Sequence, residues 1–205
     1  MKKFKLTSEF IVDISGVKLF RIKALIEFGN VKAGDLGGYI EKEENLSHMG
    51  NAWVSGNAQV SGDARVSGNA RVSGDAQVYG NAQVSGNAQV SGNAWVFGDA
   101  RVSGNARVSG DAQVFGDARV SGNAQVFGDA RVSGDKDYAY AHGFGSCNRT
   151  TTFFRLKDGD VGVRCGCFYG TLAQFRDNVC ETHGETKKAQ EYLMLADLMD
   201  FRFKN

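Results

Sequence analysis

The sequence predicts an all-β solenoid, a parallel β-helix with three hexads per coil, between an N-terminal β cap and a small α+β C-terminal domain. Two observations predict the solenoid. Glycine occupies every sixth position from Gly50 to Gly128, and the hexads up to Ser133 follow the form Gly-(Asn/Asp)-Ala-x-Val-(Ser/aromatic). Hexapeptide repeats are typical of parallel β-helices, in which each hexad is one short strand and a corner. With a coil spacing of about 4.8 Å, the 14 hexads predict about 4.7 coils and a rod about 22 Å long.

Each position of the hexad has a predicted role. Valines such as Val60 point inward and stack in columns, and alanines such as Ala58 also point inward. Gly-Asn or Gly-Asp forms the corner because these residues tolerate positive φ. Each coil satisfies its backbone groups by pairing with its neighbours. When every third hexad is aligned, one corner becomes an unbroken asparagine column of Asn51, Asn69, Asn87, Asn105 and Asn123.

Large aromatic residues replace serine in several hexads. Tyr79, Phe97 and Phe115 lie three hexads apart, so they fall on one face, with Trp95 beside Phe97, whereas Phe127 falls on another face. We call Tyr79, Trp95, Phe97 and Phe115 the aromatic stripe. Exposed apolar patches usually mark an interface. The stripe is therefore a predicted contact surface for the chain's own C-terminal segment, for a second copy in a homo-oligomer, or for a foreign partner.

Composition argues against several classes of function. The chain has 24 Lys and Arg against 23 Asp and Glu, spread evenly, so no basic patch favours nucleic-acid binding. No run reaches the roughly 18 apolar residues that span a bilayer, and the lysine-rich start lacks the apolar core of a signal peptide. Four cysteines, three of them late in the chain, indicate cytosolic thiols. We expect a cytoplasmic protein without a nucleic-acid or membrane partner.

Residues 1–49 are predicted to cap the first coil. Phe10–Ile14 and a second strand over 17–28 form a predicted hairpin with a Ser-Gly turn. Such a cap covers the strand edges of the first coil, which would otherwise recruit other chains.

A glycine-rich segment then leads into the hexads. Residues 30–41 read NVKAGDLGGYIE, and Asn45-Leu46-Ser47 follows. With the hexads after it, this segment resembles the YdcK-like hexapeptide-repeat proteins over about residues 30–133. Many of those proteins are encoded by phages and prophages. The resemblance implies a left-handed β-helix and a phage-borne gene whose product acts in a bacterial host cell, and it brings no catalytic residue to this chain.

Better-known relatives of this helix are acyltransferases with a catalytic histidine. No histidine lies within the hexads, and only His48 and His142 lie near the ends of the rod. Acyl transfer needs a general base within hydrogen-bond reach of the attacking group. An acyltransferase-like activity at one of these histidines is therefore an alternative function.

The period ends after Gly134, which closes the predicted rod at residues 50–134. Residues 135–149 are predicted to be a glycine-rich linker. Gly-x-Gly-Ser segments can bind phosphate where a helix starts on them. No helix is predicted to start on this segment, which favours a hinge. The alternative is a small-ligand site, such as a nucleotide trap, with His142, Gly143, Gly145 and Ser146 as its candidate residues.

Residues 150–205 are predicted to form the α+β domain. Thr150–Leu156 and Val161–Phe168 form a predicted hairpin with an Asp-Gly turn. A first helix begins after Thr171 and ends before Gly184, and a second runs over 185–203.

Cysteines in this domain offer possible zinc ligands. Cys165, Cys167, Cys180 and His183 could converge, but the Cys-x-Cys spacing differs from the usual zinc knuckle. The first two cysteines also alternate with valines on one strand face, as core residues do. We interpret these cysteines as reduced core residues and expect no metal and no other cofactor.

Together these patterns favour a non-enzymatic binding or scaffold protein. Its predicted partner is a second copy or a bacterial protein, and inhibition of a host enzyme or defence system would fit the phage setting of the similar proteins. The acyltransferase and the small-ligand trap are the alternatives.

Overall fold

The computed structural model describes residues 1–145 and 149–204, and a β-helical rod forms its centre. The rod consists of two-residue strands at the x-Val positions of the hexads. They are β4 (Trp53–Val54), β5 (Gln59–Val60), β6 (Arg65–Val66), β7 (Arg71–Val72), β8 (Gln77–Val78), β9 (Gln83–Val84), β10 (Gln89–Val90), β11 (Trp95–Val96), β12 (Arg101–Val102), β13 (Arg107–Val108), β14 (Gln113–Val114), β15 (Arg119–Val120), β16 (Gln125–Val126) and β17 (Arg131–Val132).

Three parallel sheets form the faces of the rod. The first face holds β4, β7, β10, β13 and β16, the second holds β5, β8, β11, β14 and β17, and the third holds β6, β9, β12 and β15. Strands that pair are three hexads apart, as where Trp95 pairs with Gln77 and Gln113. The predicted parallel β-helix with three hexads per coil is confirmed.

The interior of the rod contains only small apolar side chains. Every alanine and valine at the third and fifth hexad positions is at most 1% exposed. Each fully buried valine contributes roughly 1.5–3 kcal/mol. Corner glycines from Gly50 to Gly128 have φ between 63° and 75°, as the predicted corner requires.

Hydrogen bonds between coils run in a consistent direction. Asn93, Trp95 and Phe97 donate their N–H groups to carbonyls of the next coil at 2.9–3.0 Å, and the other hexads largely repeat this pattern. The predicted asparagine column is confirmed, because each side-chain Nδ2 donates to the Oδ1 of the next coil at 3.0–3.1 Å, from Asn51 through to Asn123. The first coil therefore presents carbonyl acceptors outward, and the last coil presents N–H donors.

An N-terminal hairpin covers the first coil. β1 (Phe4–Val12) pairs with β2 (Lys18–Ala24), and β3 (Leu36–Ile40) pairs with β2 and, in parallel, with β5 of the second face. A 3₁₀ helix over Glu43–Asn45 follows. The predicted hairpin is present, although its first strand begins at Phe4, six residues earlier than the predicted strand.

Donors of this cap satisfy the exposed carbonyls of the first coil. Buried Lys3 donates through Nζ to the carbonyl oxygen of Ala52 at 2.8 Å. The side chain of Asn45 donates to the carbonyls of Gly62 and Ala64 at 3.0 and 2.9 Å. Burial lowers the pKa of the Lys3 ammonium from 10.5 to about 8.

The C-terminal domain has a four-stranded antiparallel sheet and two helices. After a 3₁₀ helix over Asp135–Asp137 come β18 (Tyr138–Phe144), β19 (Arg149–Arg155), β20 (Val161–Cys165), β21 (Phe168–Thr171), α1 (Leu172–His183) and α2 (Lys187–Phe203). The predicted helices are present, and Thr171 caps α1 by accepting the N–H of Gln174 at 3.3 Å. None of the helices among the described residues has the length and apolar character needed to cross a membrane.

Two strands of this sheet differ from the sequence prediction. β18 lies within residues 135–149, the predicted linker, because its backbone pairs with β19 and gives that strand a second neighbour. β21 is separate from β20, because the chain turns at Gly166, where φ is 60°.

Acceptors of this domain bind three N–H groups of the last coil. One polar side chain serves each face. Arg119 on the third face donates its N–H to Asp135 Oδ1 at 3.0 Å, Gln125 on the first face to Thr152 Oγ1 at 2.9 Å, and Ser133 beside the second face to Asp137 Oδ2 at 3.0 Å.

We expect Gly110→Ala to destabilise the rod by more than the strain of positive φ alone. A Cβ at Gly110 would lie 2.8 Å from the backbone nitrogen of Gly128, with φ at +75°. Gly159→Ala is the matched control, since Gly159 has φ +90° and no atom within 4 Å of the added Cβ. Positive φ alone costs about 1–2 kcal/mol, and we expect Gly110→Ala to exceed the control in urea unfolding. Equal losses would contradict the close packing of coils.

We also expect the burial of Lys3 to affect stability between pH 8 and 10.5. The folded-state pKa of about 8 lies below the usual 10.5. The unfolded chain therefore binds more protons in this window, and the free energy of unfolding rises with pH. Urea unfolding across the window should show wild type gaining stability relative to Lys3→Met. Lys5→Met, at an exposed position, should track wild type, and a constant difference for Lys3→Met would contradict the burial of its charge.

Candidate binding surface

The rings of the aromatic stripe form one continuous stack along the rod. Tyr79, Phe97 and Phe115 directly follow β8, β11 and β14, so the coil repeat places them one above another. The ring centroids of Tyr79 and Phe97 are 5.0 Å apart with planes at 3°, and those of Phe97 and Phe115 are 5.2 Å apart at 7°. All three side chains are half-buried. The structure therefore brings these three predicted residues together.

Trp95 widens the stripe onto the second face. Its indole contacts Tyr79 edge to face, with centroids 6.4 Å apart and planes at 73°. The residues that pair with Trp95 in the neighbouring coils are Gln77 and Gln113, so glutamine flanks the indole on both sides. All four predicted stripe residues thus form one surface.

The tip of the N-terminal hairpin lies beside the stripe. Val12, Ile14, Tyr79 and Trp95 help to line a cleft of about 530 Å³ between the tip and the rod. Val12 is 56% exposed and Ile14 is fully exposed. Sequence reasoning missed this cleft. Its one signal was an isoleucine in a turn, where polar residues are usual.

Partial burial changes the chemistry at one end of the stripe. Burial raises the pKa of the Tyr79 hydroxyl. The neutral hydroxyl, which can donate a hydrogen bond, adds one polar group to the edge of an otherwise apolar surface.

The C-terminal domain covers a different aromatic residue. Tyr169 packs edge to face on Phe127 with centroids 5.1 Å apart, and the Arg164 guanidinium lies 5.1 Å from the centre of the Phe127 ring. Within the described residues, the ring contacts of the stripe are with one another. The stripe therefore has no aromatic cover from the described part of the C-terminal domain.

The predicted small-ligand residues separate in the structure. His142 lies exposed on β18, and its Nδ1 is 3.0 Å from Thr150 Oγ1. Gly145 faces α2, where its N–H donates to Glu191 Oε2 at 2.8 Å. Gly143 has φ +89° and open space around it. Ser146 lies outside the described residues.

A solvent-open cavity of about 390 Å³, lined mainly by polar residues, lies between the end of the rod and the C-terminal sheet. Arg107, Asn123 and Gln125 of the rod face His142, Arg149 and Thr150 of β18 and β19. We call it the ladder-end cavity, because the asparagine column ends there. Of its residues, only His142 was predicted as a ligand-site candidate, since the pairing of β18 with β19 was not predicted.

The two histidines of the acyltransferase alternative lie at opposite ends of the rod. His48 stacks on Phe4 with centroids 4.3 Å apart, and its Nδ1 accepts the N–H of Lys3 at 3.2 Å. This histidine therefore packs within the N-terminal cap. His142 is the more accessible of the two, and the enzyme alternative stays a prediction.

The interpretation of the cysteines as core residues is wrong for Cys167 and Cys180. Both are exposed, because β20 ends before Cys167 and because Cys180 falls beside the buried face of α1. Cys165 is half-buried and accepts a hydrogen bond from Thr151 Oγ1 at 3.2 Å. Among the described residues, no three His, Cys, Asp or Glu side chains are grouped to hold a metal ion.

Comparison with known proteins identifies the repeat. The family described as the YdcK beta solenoid repeat matches six segments within the rod, residues 58–74, 64–80, 82–98, 88–102, 100–114 and 112–125. These matches support a YdcK-like repeat protein. No curated protein sequence matches the chain.

We expect the exposed cysteines to react first with a thiol reagent. Cys167 and Cys180 are accessible, whereas Cys165 is partly covered, and a thiol must be accessible before a reagent can reach it. Alkylation of the native protein, followed by peptide mass spectrometry, measures the order. Protection of Cys167 and Cys180 would indicate that a bound metal or another subunit covers them.

Proposed function

We propose that this protein is a non-enzymatic protein-binding module whose contact surface is the aromatic stripe. The observation that carries the proposal is the continuous stack of three half-buried rings, joined by Trp95, on one side of the rod. Aromatic residues are enriched at the energetic centres of protein interfaces.

Ring geometry favours a protein surface over a small planar ligand. The faces of Tyr79, Phe97 and Phe115 already lie against one another at 5.0–5.2 Å, so a planar group has no space between them. Their outer edges form an apolar ridge. A partner would therefore pack its own apolar side chains along the ridge and into the cleft under Ile14.

The rigid backbone of the rod favours tight binding of a partner to the small area of the aromatic stripe. Hydrogen bonds between coils hold the backbone on both sides of each ring, as where Phe97 donates its N–H to Val114 at 3.0 Å. A preorganised surface loses little conformational entropy on binding, which favours affinity.

The partner in this proposal is a second copy of the chain or a bacterial protein. The bacterial partner, the phage-borne gene and the role as an inhibitor of a host enzyme or defence system come from the resemblance to YdcK-like proteins alone, and the cytoplasmic location comes from the cysteines and the start of the sequence. Exposed Val12 and Ile14 beside the stripe would fit either partner, because both add apolar area.

Phe97→Ser tests this function. Serine is the common residue at the sixth hexad position, so the rod should fold with an unchanged circular dichroism spectrum. Phe201→Ser is the matched control, because Phe201 is 72% exposed on α2 and is not part of the stripe. Light scattering over a concentration series measures self-association, and any protein captured from a bacterial lysate is purified and titrated against each variant.

We expect Phe97→Ser to weaken the measured association at least about tenfold, equivalent to about 1.4 kcal/mol. The control should bind like wild type. Absence of both self-association and a reconstituted partner, or equal losses in both variants, would refute the stripe as the contact surface.

A further inference from the structure

We propose that the ladder-end cavity binds the phosphate group of a small molecule. The cavity lies on the first face of the rod, whereas the stripe borders the second, so this site is additional to the proposed protein contact. Its volume of about 390 Å³ lies within the range of small-molecule pockets.

The first argument is the direction of the asparagine column. Every side chain from Asn51 to Asn105 donates its Nδ2 to the next Oδ1 at 3.0–3.1 Å. Asn123 accepts the last of these bonds, and no further asparagine of the column follows it. No described residue accepts a hydrogen bond from its Nδ2, so the column ends at the cavity with an amide N–H₂ group that can donate to a ligand. Hydrogen bonds arranged head to tail polarise one another, which strengthens the terminal donor.

The second argument is charge. Arg107 of the rod and Arg149 of β19 line the cavity, and none of the described residues that line it with them carries a carboxylate. None of the ion pairs between described residues includes either arginine. Two guanidinium groups at one cavity repel each other, and a bound anion would relieve that repulsion.

The third argument is the chemistry of the other donors. Nδ1 of His142 is 3.0 Å from Thr150 Oγ1. In the tautomer in which the Thr150 hydroxyl donates to Nδ1, Nε2 carries the ring proton and can donate it to a ligand. Guanidinium, amide and imidazole donors thus come from both the rod and the C-terminal sheet. A phosphate group presents acceptor oxygens in several directions and matches the paired donors of arginine, whereas a carboxylate presents only two oxygens.

Titration calorimetry of the full chain tests the site with three probes, namely inorganic phosphate, adenosine monophosphate and adenosine. We expect the two phosphate-bearing probes to bind and adenosine not to bind. Binding of adenosine as tight as that of its monophosphate, or no binding of either phosphate probe, would overturn the proposal.

Arg107→Gln supplies the matched variant. Glutamine occupies the same hexad position in Gln89 and Gln125 of the same face, so the fold should tolerate it. Arg71→Gln is the control, because Arg71 occupies the equivalent position on that face two coils earlier, away from the cavity. We expect Arg107→Gln to weaken phosphate binding at least about tenfold and Arg71→Gln to leave it unchanged. Equal weakening by both would show general attraction to the basic rod surface and would refute the site.

Discussion

The directional hydrogen bonding between coils is the constraint on which the rest of the structure depends. Each coil donates most of its free N–H groups forward, so the rod has an acceptor-rich start and a donor-rich end. An unpaired buried backbone group costs about 1–3 kcal/mol. The N-terminal cap therefore supplies hydrogen-bond donors to the rod, and the C-terminal domain supplies acceptors. Donors from Lys3 and Asn45 cover the first coil, whereas acceptors from Asp135, Thr152 and Asp137 cover the last.

The same constraint shapes both proposed binding surfaces. Register between coils is in steps of three hexads, so a residue type repeated at that spacing becomes a column. Phenyl rings at that spacing stack about 5 Å apart and form a ridge. Asparagines at that spacing form a chain of side-chain amides that donate in one direction. Asn123 is the last of them and lies beside the C-terminal sheet. Both proposed binding surfaces thus consist of side chains that the coil repeat aligns in a column.

Much of this architecture could be predicted from the sequence, because the hexad pattern acts locally. Inward Val and Ala, positive-φ corner glycines, the amide column and the alignment of Tyr79, Phe97 and Phe115 all follow from period alone. The N-cap of α1 could also be predicted locally, because Thr171 accepts the N–H of Gln174 only three residues later. Pairing between strands outside the repeat could not be predicted in this way. β18 forms a strand because β19 offers it a partner, and nothing within Tyr138–Phe144 reveals that.

The sequence by itself determined the rod, its faces and which side chains share a column, because each hexad carries its own strand, corner and inward residues. Only the tertiary structure decided what lies against each column. It placed Tyr169 and Arg164 over Phe127, the hairpin tip beside the aromatic stripe, and Arg107 and Arg149 at one cavity. These contacts depend on how two non-repetitive ends fold back on the rod. No repeat unit encodes that docking, since it joins residues far apart in the chain.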